Sequence, residues 1–239
     1  MQAAEYLILA VTLFAAAGLQ GAIGFGAGLV AAPVVGILAP ELLPAFIICL
    51  GALIGLMVTI RERASLDLKG AGWALAGRIP GSLLGTWLVV VLPLTALTWA
   101  VALSVLAGVA ASFLGWTPVP TRKALVTAGA LSGIMGTATA TGGAPMAIVW
   151  QGEEPARMRG TMSAFFLVGS ILSVAMLAVA GEVSGAVLST LGWMSPVVLA
   201  GFLLSRWINK FMDKQRLRWA ALGASVLGSL LLVIRLLAG

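Results

Sequence analysis

Leu19-Gln20-Gly21-Ala22-Ile23-Gly24-Phe25-Gly26-Ala27-Gly28, leading to Ala32-Pro33, occurs twice in this chain in diverged form. Adding 112 to each number gives Leu131-Ser132-Gly133-Ile134-Met135-Gly136-Thr137-Ala138-Thr139-Ala140, leading to Ala144-Pro145. Leu, two Gly, Ala and Pro recur in register, and Glu41 falls on Glu153. Farther along the offset becomes 120, pairing Gly81 with Gly201, Trp87 with Trp207, Trp99 with Trp219 and Gly108 with Gly228. Two tryptophan pairs at one offset, in a chain with eight tryptophans, mark a duplication. The chain divides into a first repeat at 1–116, a connector at 117–123 and a second repeat at 124–239. The change of offset implies about eight extra residues in the second copy, expected in the polar stretch 181–195.

Composition sets the environment. Of 239 residues, 61% are hydrophobic and only 9% charged, against about 25% charged in a soluble domain. Stretches free of charge run over 6–40, 42–60, 79–121, 124–152, 160–181, 183–205 and 219–234. A crossing helix needs about 20 apolar residues, so roughly eight to ten crossings fit, some short or folded back. The runs are continuous and not alternating, which excludes a β-barrel. The fold class is an all-α polytopic membrane protein. The chain has no histidine and one cysteine, Cys49. Imidazole chemistry, a serine–histidine pair, a thiolate cluster and an internal disulfide are therefore excluded, and neither metal, cofactor nor enzymatic activity is expected. The start, Met-Gln-Ala-Ala-Glu5, lacks the cationic n-region of a signal peptide. The pI of 10.5 reflects basic residues placed between apolar spans, which speaks of topology and not of nucleic acid.

Each copy parses into five helical segments. The first has A 5–20, B 26–38, C 43–60, D 70–91 and E 94–115. The second has A′ 124–136, B′ 143–151, C′ 160–180, D′ 194–209 and E′ 217–237. A, linker and B together fall short of the about 40 residues that two crossings need. Each A–B pair is therefore expected to enter and return as a broken or re-entrant hairpin, leaving an odd number of crossings and two copies of inverted topology. Basic residues agree, since Lys and Arg collect in cytoplasmic loops. Arg61, Arg63 and Lys69 lie after C, whereas only Glu182 lies after C′. Nothing charged lies between D and E, whereas Lys210, Lys214, Arg216 and Arg218 lie between D′ and E′. Arg157 and Arg159 follow B′, and Arg122 and Lys123 sit at the connector. With the N-terminus outside and the connector cytoplasmic, every basic loop falls inside. Arg235 alone sits outside, and it can snorkel; Arg206, near a span end, is expected to anchor the same way.

Inverted repeats with broken helices place substrate where the copies meet. The glycine-rich linkers 20–28 and 132–143 let the backbone leave the helix, which membrane depth tolerates only around a cavity. Segments B and B′ then aim helix N-termini, with their partial positive charge, inward. Gln20, Gly24, Phe25, Gly26, Ser132, Gly136, Thr137, Thr139, Thr141, Gly142 and Gly143 are the candidate binding residues. The three threonines, if extended, share a face and donate to an oxyanion. Close helix packing, as at Gly24-xxx-Gly28, is the competing explanation for the glycines, and back-bonding to a helix carbonyl that for the threonines. Arg78 is the one cation deep in a span, a costly placement that marks function. Ser82 and Thr86 continue its stripe, beside a Gly77, Gly81 and Gly85 packing seam. No carboxylate lies mid-span, so a proton relay is unsupported.

At Gly21-xx-Gly24-Phe25-Gly26-xxxxxx-Pro33, and at Gly133-xx-Gly136 with Gly142-Gly143-Ala144-Pro145, the chain resembles the TauE/SafE sulfite-exporter family of bacterial permeases over nearly its whole length. The second motif departs from the family by carrying Thr137-Ala138-Thr139-Ala140 where glycines are usual. The resemblance implies a secondary transporter of sulfite, sulfonates such as sulfoacetate, or related anions, acting as an exporter in the bacterial inner membrane. An anion channel and a non-transporting membrane assembly protein are the alternatives. Expected partners are the small anion, the lipid bilayer and a second copy in a homodimer, with no nucleic acid. Single cysteines placed at positions 65 and 185 are expected to label from opposite faces of the membrane. Labelling of both from one face would remove the inverted topology.

Overall fold

The computed structural model describes residues 2–113, 119–211 and 214–238. They form ten α-helices: α1 Ala3–Ile23, α2 Ala27–Leu38, α3 Ala45–Arg61, α4 Leu68–Val91, α5 Leu94–Phe113, α6 Arg122–Thr139, α7 Gly143–Trp150, α8 Pro155–Val179, α9 Gly185–Phe211 and α10 Lys214–Ala238. Short 3₁₀ turns lie at Pro40–Leu42 and Arg63–Ser65. Each expected segment appears as one helix. Residues 117–118 of the connector and the side chain of Arg206 lie outside the described residues.

Local chemistry sets the helix ends. Gln2 and Glu5 form a capping box on α1, with the Gln2 N–H donating to Glu5 Oε2 at 2.7 Å. Asp67 caps α4 by accepting from the Gly70 N–H at 2.9 Å, and Thr121 caps α6 through the Ala124 N–H. Pro155 opens α8, where its missing N–H costs nothing. Gly24, at φ 91°, closes α1 in the left-handed region.

Five helices, α1, α4, α5, α8 and α9, are long and apolar enough to cross a bilayer. Their outward faces carry Leu83, Trp87, Val90, Trp193 and Leu203, as expected where the solvent is lipid. This is a multi-pass membrane protein. Three boundaries differ from expectation. α1 has 21 residues and is long enough to cross alone at about 1.5 Å per residue, so in the first hairpin α2 alone is short, as α7 is in the second. α6 continues to Thr139, which makes Thr137 and Thr139 helical. The extra residues of the second copy lie mainly in α8, which has 25 residues against 17 in α3. A smaller part lengthens α9, which has 27 residues against 24 in α4 and begins at Gly185, within 181–195.

The two copies interlock by exchange. α4 packs on α6 and α1 on α9, while α3 packs on α8. Glycine makes the first contact possible. A methyl on Gly77 would run into the Val126 carbonyl, one on Gly81 into the Ala130 carbonyl, and one on Gly85 into Ile134 and Thr137. The numbers rise together, so α4 and α6 run parallel. α1 and α9 also run parallel, with Phe14 against Gly201 and Gly21 against Phe202 and Ser205. α3 and α8 are antiparallel, with Gly51 beside Ser170, Gly55 beside Leu167 and Gly160 beside Glu62. Each repeat is thus stabilised mainly by its partner repeat.

Gly81→Ala is expected to destabilise the bundle by about 1–3 kcal/mol, because backbone sits where the methyl must go. Gly192→Ala, in α9 with open space around it, is expected to be neutral or to gain up to about 1 kcal/mol of helix propensity. Thermal unfolding of both variants in detergent checks the contrast.

Candidate functional site

α1 and α6 stop inside the bundle because their linkers leave helical geometry. Gly24 at φ 91° and Gly26 at φ 104° bracket Phe25 in the first linker. Ala140, at φ 59°, takes the left-handed position in the second. The linkers cross in direct contact: a methyl on Gly28 would run into the Ala140 carbonyl, and one on Gly143 would lie 3.2 Å from the Phe25 ring. α2 and α7 start at this crossing. Their first N–H groups have no intrahelical acceptor, and both helix ends contribute partial positive charge.

A cavity of ≈ 50 Å³ lies there. A single water needs about 10–15 Å³ on the same measure, so the cavity has the size of one small oxyanion or a few waters. Gln20, Phe25, Gly26, Arg78, Gly136, Thr141, Gly142 and Gly143 line it, so eight of the twelve sequence candidates meet at one place. Ile47, Ile48 and Gly51 of α3, and Phe166 and Ser170 of α8, complete its wall.

Arg78 dominates the electrostatics. It is 2% exposed and sits near the middle of α4. Its Nη1 donates to Ser132 Oγ at 3.0 Å, and its guanidinium lies 4.9 Å from the Phe165 ring centre and 5.7 Å from that of Phe166. Its Nε has no hydrogen-bond partner among the described residues. The described ion pairs involve Arg61, Arg157 and Arg159, all away from the cavity, and none supplies Arg78 with a carboxylate. Cation–π contact returns about 2 kcal/mol or somewhat more in a dry site, still below the cost of burying an unpaired charge.

The remaining candidates sit nearby in other roles. Ser132 accepts from Arg78 and donates to the Gly142 carbonyl at 2.6 Å, tying the cation to the second linker without lining the cavity. Gly24 backs onto the Arg159 backbone of α8. The threonines do not share a face. Thr137 bonds Ser173 of α8 at 2.7 Å, whereas Thr139 donates to the Met135 carbonyl at 2.7 Å and meets Thr141 at 2.6 Å. Ser104 of α5 joins Thr139 and Thr141 at 3.1 and 2.8 Å. Because α6 runs on to Thr139, alternate residues point to different helices. Only Thr141 reaches the cavity.

A family model described as Sulfite exporter TauE/SafE matches residues 8–232. The chain belongs to this family. No curated protein and no solved structure matches it. The match spans both linkers of this TauE/SafE protein and the helices that carry Arg78, Phe166 and Ser170.

Gly169, Phe165, Phe166, Ser170 and Ser104 escaped sequence reasoning. The Phe165-Phe166 pair was the available signal, since adjacent aromatics in a span can cover a buried cation. Gly169 carries no such mark. A methyl there would overlap Arg78 Nε, so a side chain at 169 would have to displace the guanidinium from its place beside Ser132. Gly169→Ala is therefore expected to lower the melting temperature despite its better helix propensity. Adding Arg78→Ala should recover part of the loss, with a coupling of about 1–3 kcal/mol between the two sites. Thermal unfolding of both single variants and the double variant measures it.

Proposed function

We propose that this protein moves a small sulfur oxyanion, sulfite or a short sulfonate, across the bacterial inner membrane by alternating access, as an exporter. The observation that carries the proposal is Arg78: a guanidinium 2% exposed, without a carboxylate partner among the described residues, on a cavity between two helix N-termini. Such a site is incomplete until an anion enters it. Gln20 and Thr141 supply neutral polar groups, and the backbone at Gly26, Gly142 and Gly143 supplies close approach. The cavity volume favours a compact ion. The sulfur chemistry comes from the family; the site's own physics specifies a small anion.

Inverted topology with re-entrant hairpins belongs to the same proposal. Support comes from the parallel course of α4 beside α6 and of α1 beside α9. α1 and α4 are separated by three reversals and point opposite ways, so α6, running with α4, opposes α1. The copies would then rock about the crossed linkers, with the N-terminus outside and the connector cytoplasmic.

Purified protein is expected to bind sulfite or sulfoacetate in preference to taurine, a zwitterion. Arg78→Ala should weaken that binding by about 2–5 kcal/mol, as for loss of one member of a buried charge pair. Thr139→Val should leave it nearly unchanged, since the Thr139 hydroxyl is committed to Met135. Isothermal titration measures both, and equal affinity in wild type and Arg78→Ala would remove the site. Counterflow in proteoliposomes separates a carrier from an anion channel. Failure to move any of a panel of anions would favour an assembly protein.

A further inference from the structure

The cavity's two sides are unlike. Toward the end of the molecule where Asp67 of the α3–α4 turn pairs with Arg157 of α8 at 3.2 Å, a second cavity of ≈ 220 Å³ adjoins it. Ala22, Ile23, Ala147 and Ile148 form its apolar wall, and Gln151, Glu153 and Arg159 its polar rim. Toward the other end lies a packed plug of buried hydroxyls, with Ser82 and Thr137 both on Ser173, at 3.4 and 2.7 Å. Among the described residues, Phe25 alone lines both cavities.

We infer that Phe25 is the gate between the anion site and a vestibule on the Arg159 side, so that this conformation is one phenyl ring away from opening to that face. The inference rests on the anion-transport proposal and adds its route. Three observations bear on it. Phe25 is the one residue between two left-handed glycines, Gly24 and Gly26, so the ring rides on a linker whose backbone has wide freedom on both sides. Gly24 backs onto Arg159 and Gly143 onto the Phe25 ring. Motion of α7 or of the first turn of α8 is therefore transmitted directly to the gate. The vestibule's charges are compensated, Arg159 by Glu62 at 3.3 Å and Glu153 by Arg157 at 3.5 Å. A passage of this kind does not hold the anion, as release requires.

The test uses thiol labelling in oriented membrane vesicles. Cys49 is replaced by Ala, and Ser170→Cys reports from the cavity wall. Gly152→Cys, exposed with open space around it, marks the vestibule face. Sulfonatoethyl methanethiosulfonate, an anionic reagent, is expected to modify Ser170→Cys slowly from that face and more slowly from the other. Phe25→Ala should accelerate modification from the vestibule face about tenfold or more, and Phe25→Trp should slow it, as for removing or enlarging a gate. Phe25→Leu, a milder change, should fall between Ala and wild type and serves if Phe25→Ala does not purify as folded protein. Rates that ignore position 25, or that rise equally from both faces, would overturn the gate. A neutral methanethiosulfonate run in parallel separates the two claims. If it alone is accelerated, the gate stands and the anion proposal fails.

Discussion

A guanidinium in the middle of a membrane protein has to be answered by its surroundings, and much of this fold is organised around answering Arg78. An unpaired charge at that depth costs several kcal/mol at least, so each neighbour is constrained. Gly169 leaves room for the guanidinium in its observed position. Phe165 and Phe166 present their rings to it. Ser132 accepts from it and passes the constraint to the second linker through Gly142. The α4–α6 seam brings Ser132 to Arg78 in turn, since Gly133 packs on the Arg78 and Ser82 backbone. Glycines that look like ordinary helix packing therefore also place a hydroxyl on a cation.

Duplication gives the architecture, and departures from it give the site its polarity. Position 78 of the first copy corresponds to Val198 of the second, and Gln20 corresponds to Ser132. Val198 is wholly buried in the apolar core, while Arg78 faces the cavity. One copy thus contributes the cation. The other contributes the linker that the cation fixes and, through α8, the aromatic cover. On the proposed reading neither half of the chain holds the site alone, in keeping with the packing of α1 on α9 and of α4 on α6.

The fold was legible in the sequence because its signals are long. Apolar runs of 20 residues and a repeated glycine motif survive without knowledge of contacts, and the ten segments match ten helices. What failed were features that depend on a neighbour. Glycine and threonine after Gly136 read as linker, so the sequence predicts that α6 ends there. The helix continues to Thr139 because Thr137 and Thr139 find partners on α8 and α5. The insertion was assigned to a polar stretch, yet most of it lengthens α8, whose added turns are apolar and leave no mark in a charge pattern. At the site, residues of the two repeated motifs and the lone deep arginine could be named in advance. Gly169 and Ser170 of α8 could not, because they acquire meaning only when Arg78 is seen to cross that helix.

Among the described residues no carboxylate pairs with Arg78, and the transport proposal rests on that feature. An aspartate beside Arg78 would have settled the cation's solvation permanently and left a closed, inert ion pair. Neutral donors and helix N-termini do not settle it. They raise the positive potential of the cavity, so a monoanion bound there would bring it near neutrality. Moving one net charge through the membrane field is worth about 2.3 kcal/mol per 100 mV, so in the proposed transport cycle a loaded, neutral site would cross more freely than a charged one. On the proposed alternating-access reading, leaving the cation unpaired would make occupancy itself the condition that lowers the barrier to reorientation, which would distinguish a carrier of anions from a helical bundle that merely buries an arginine.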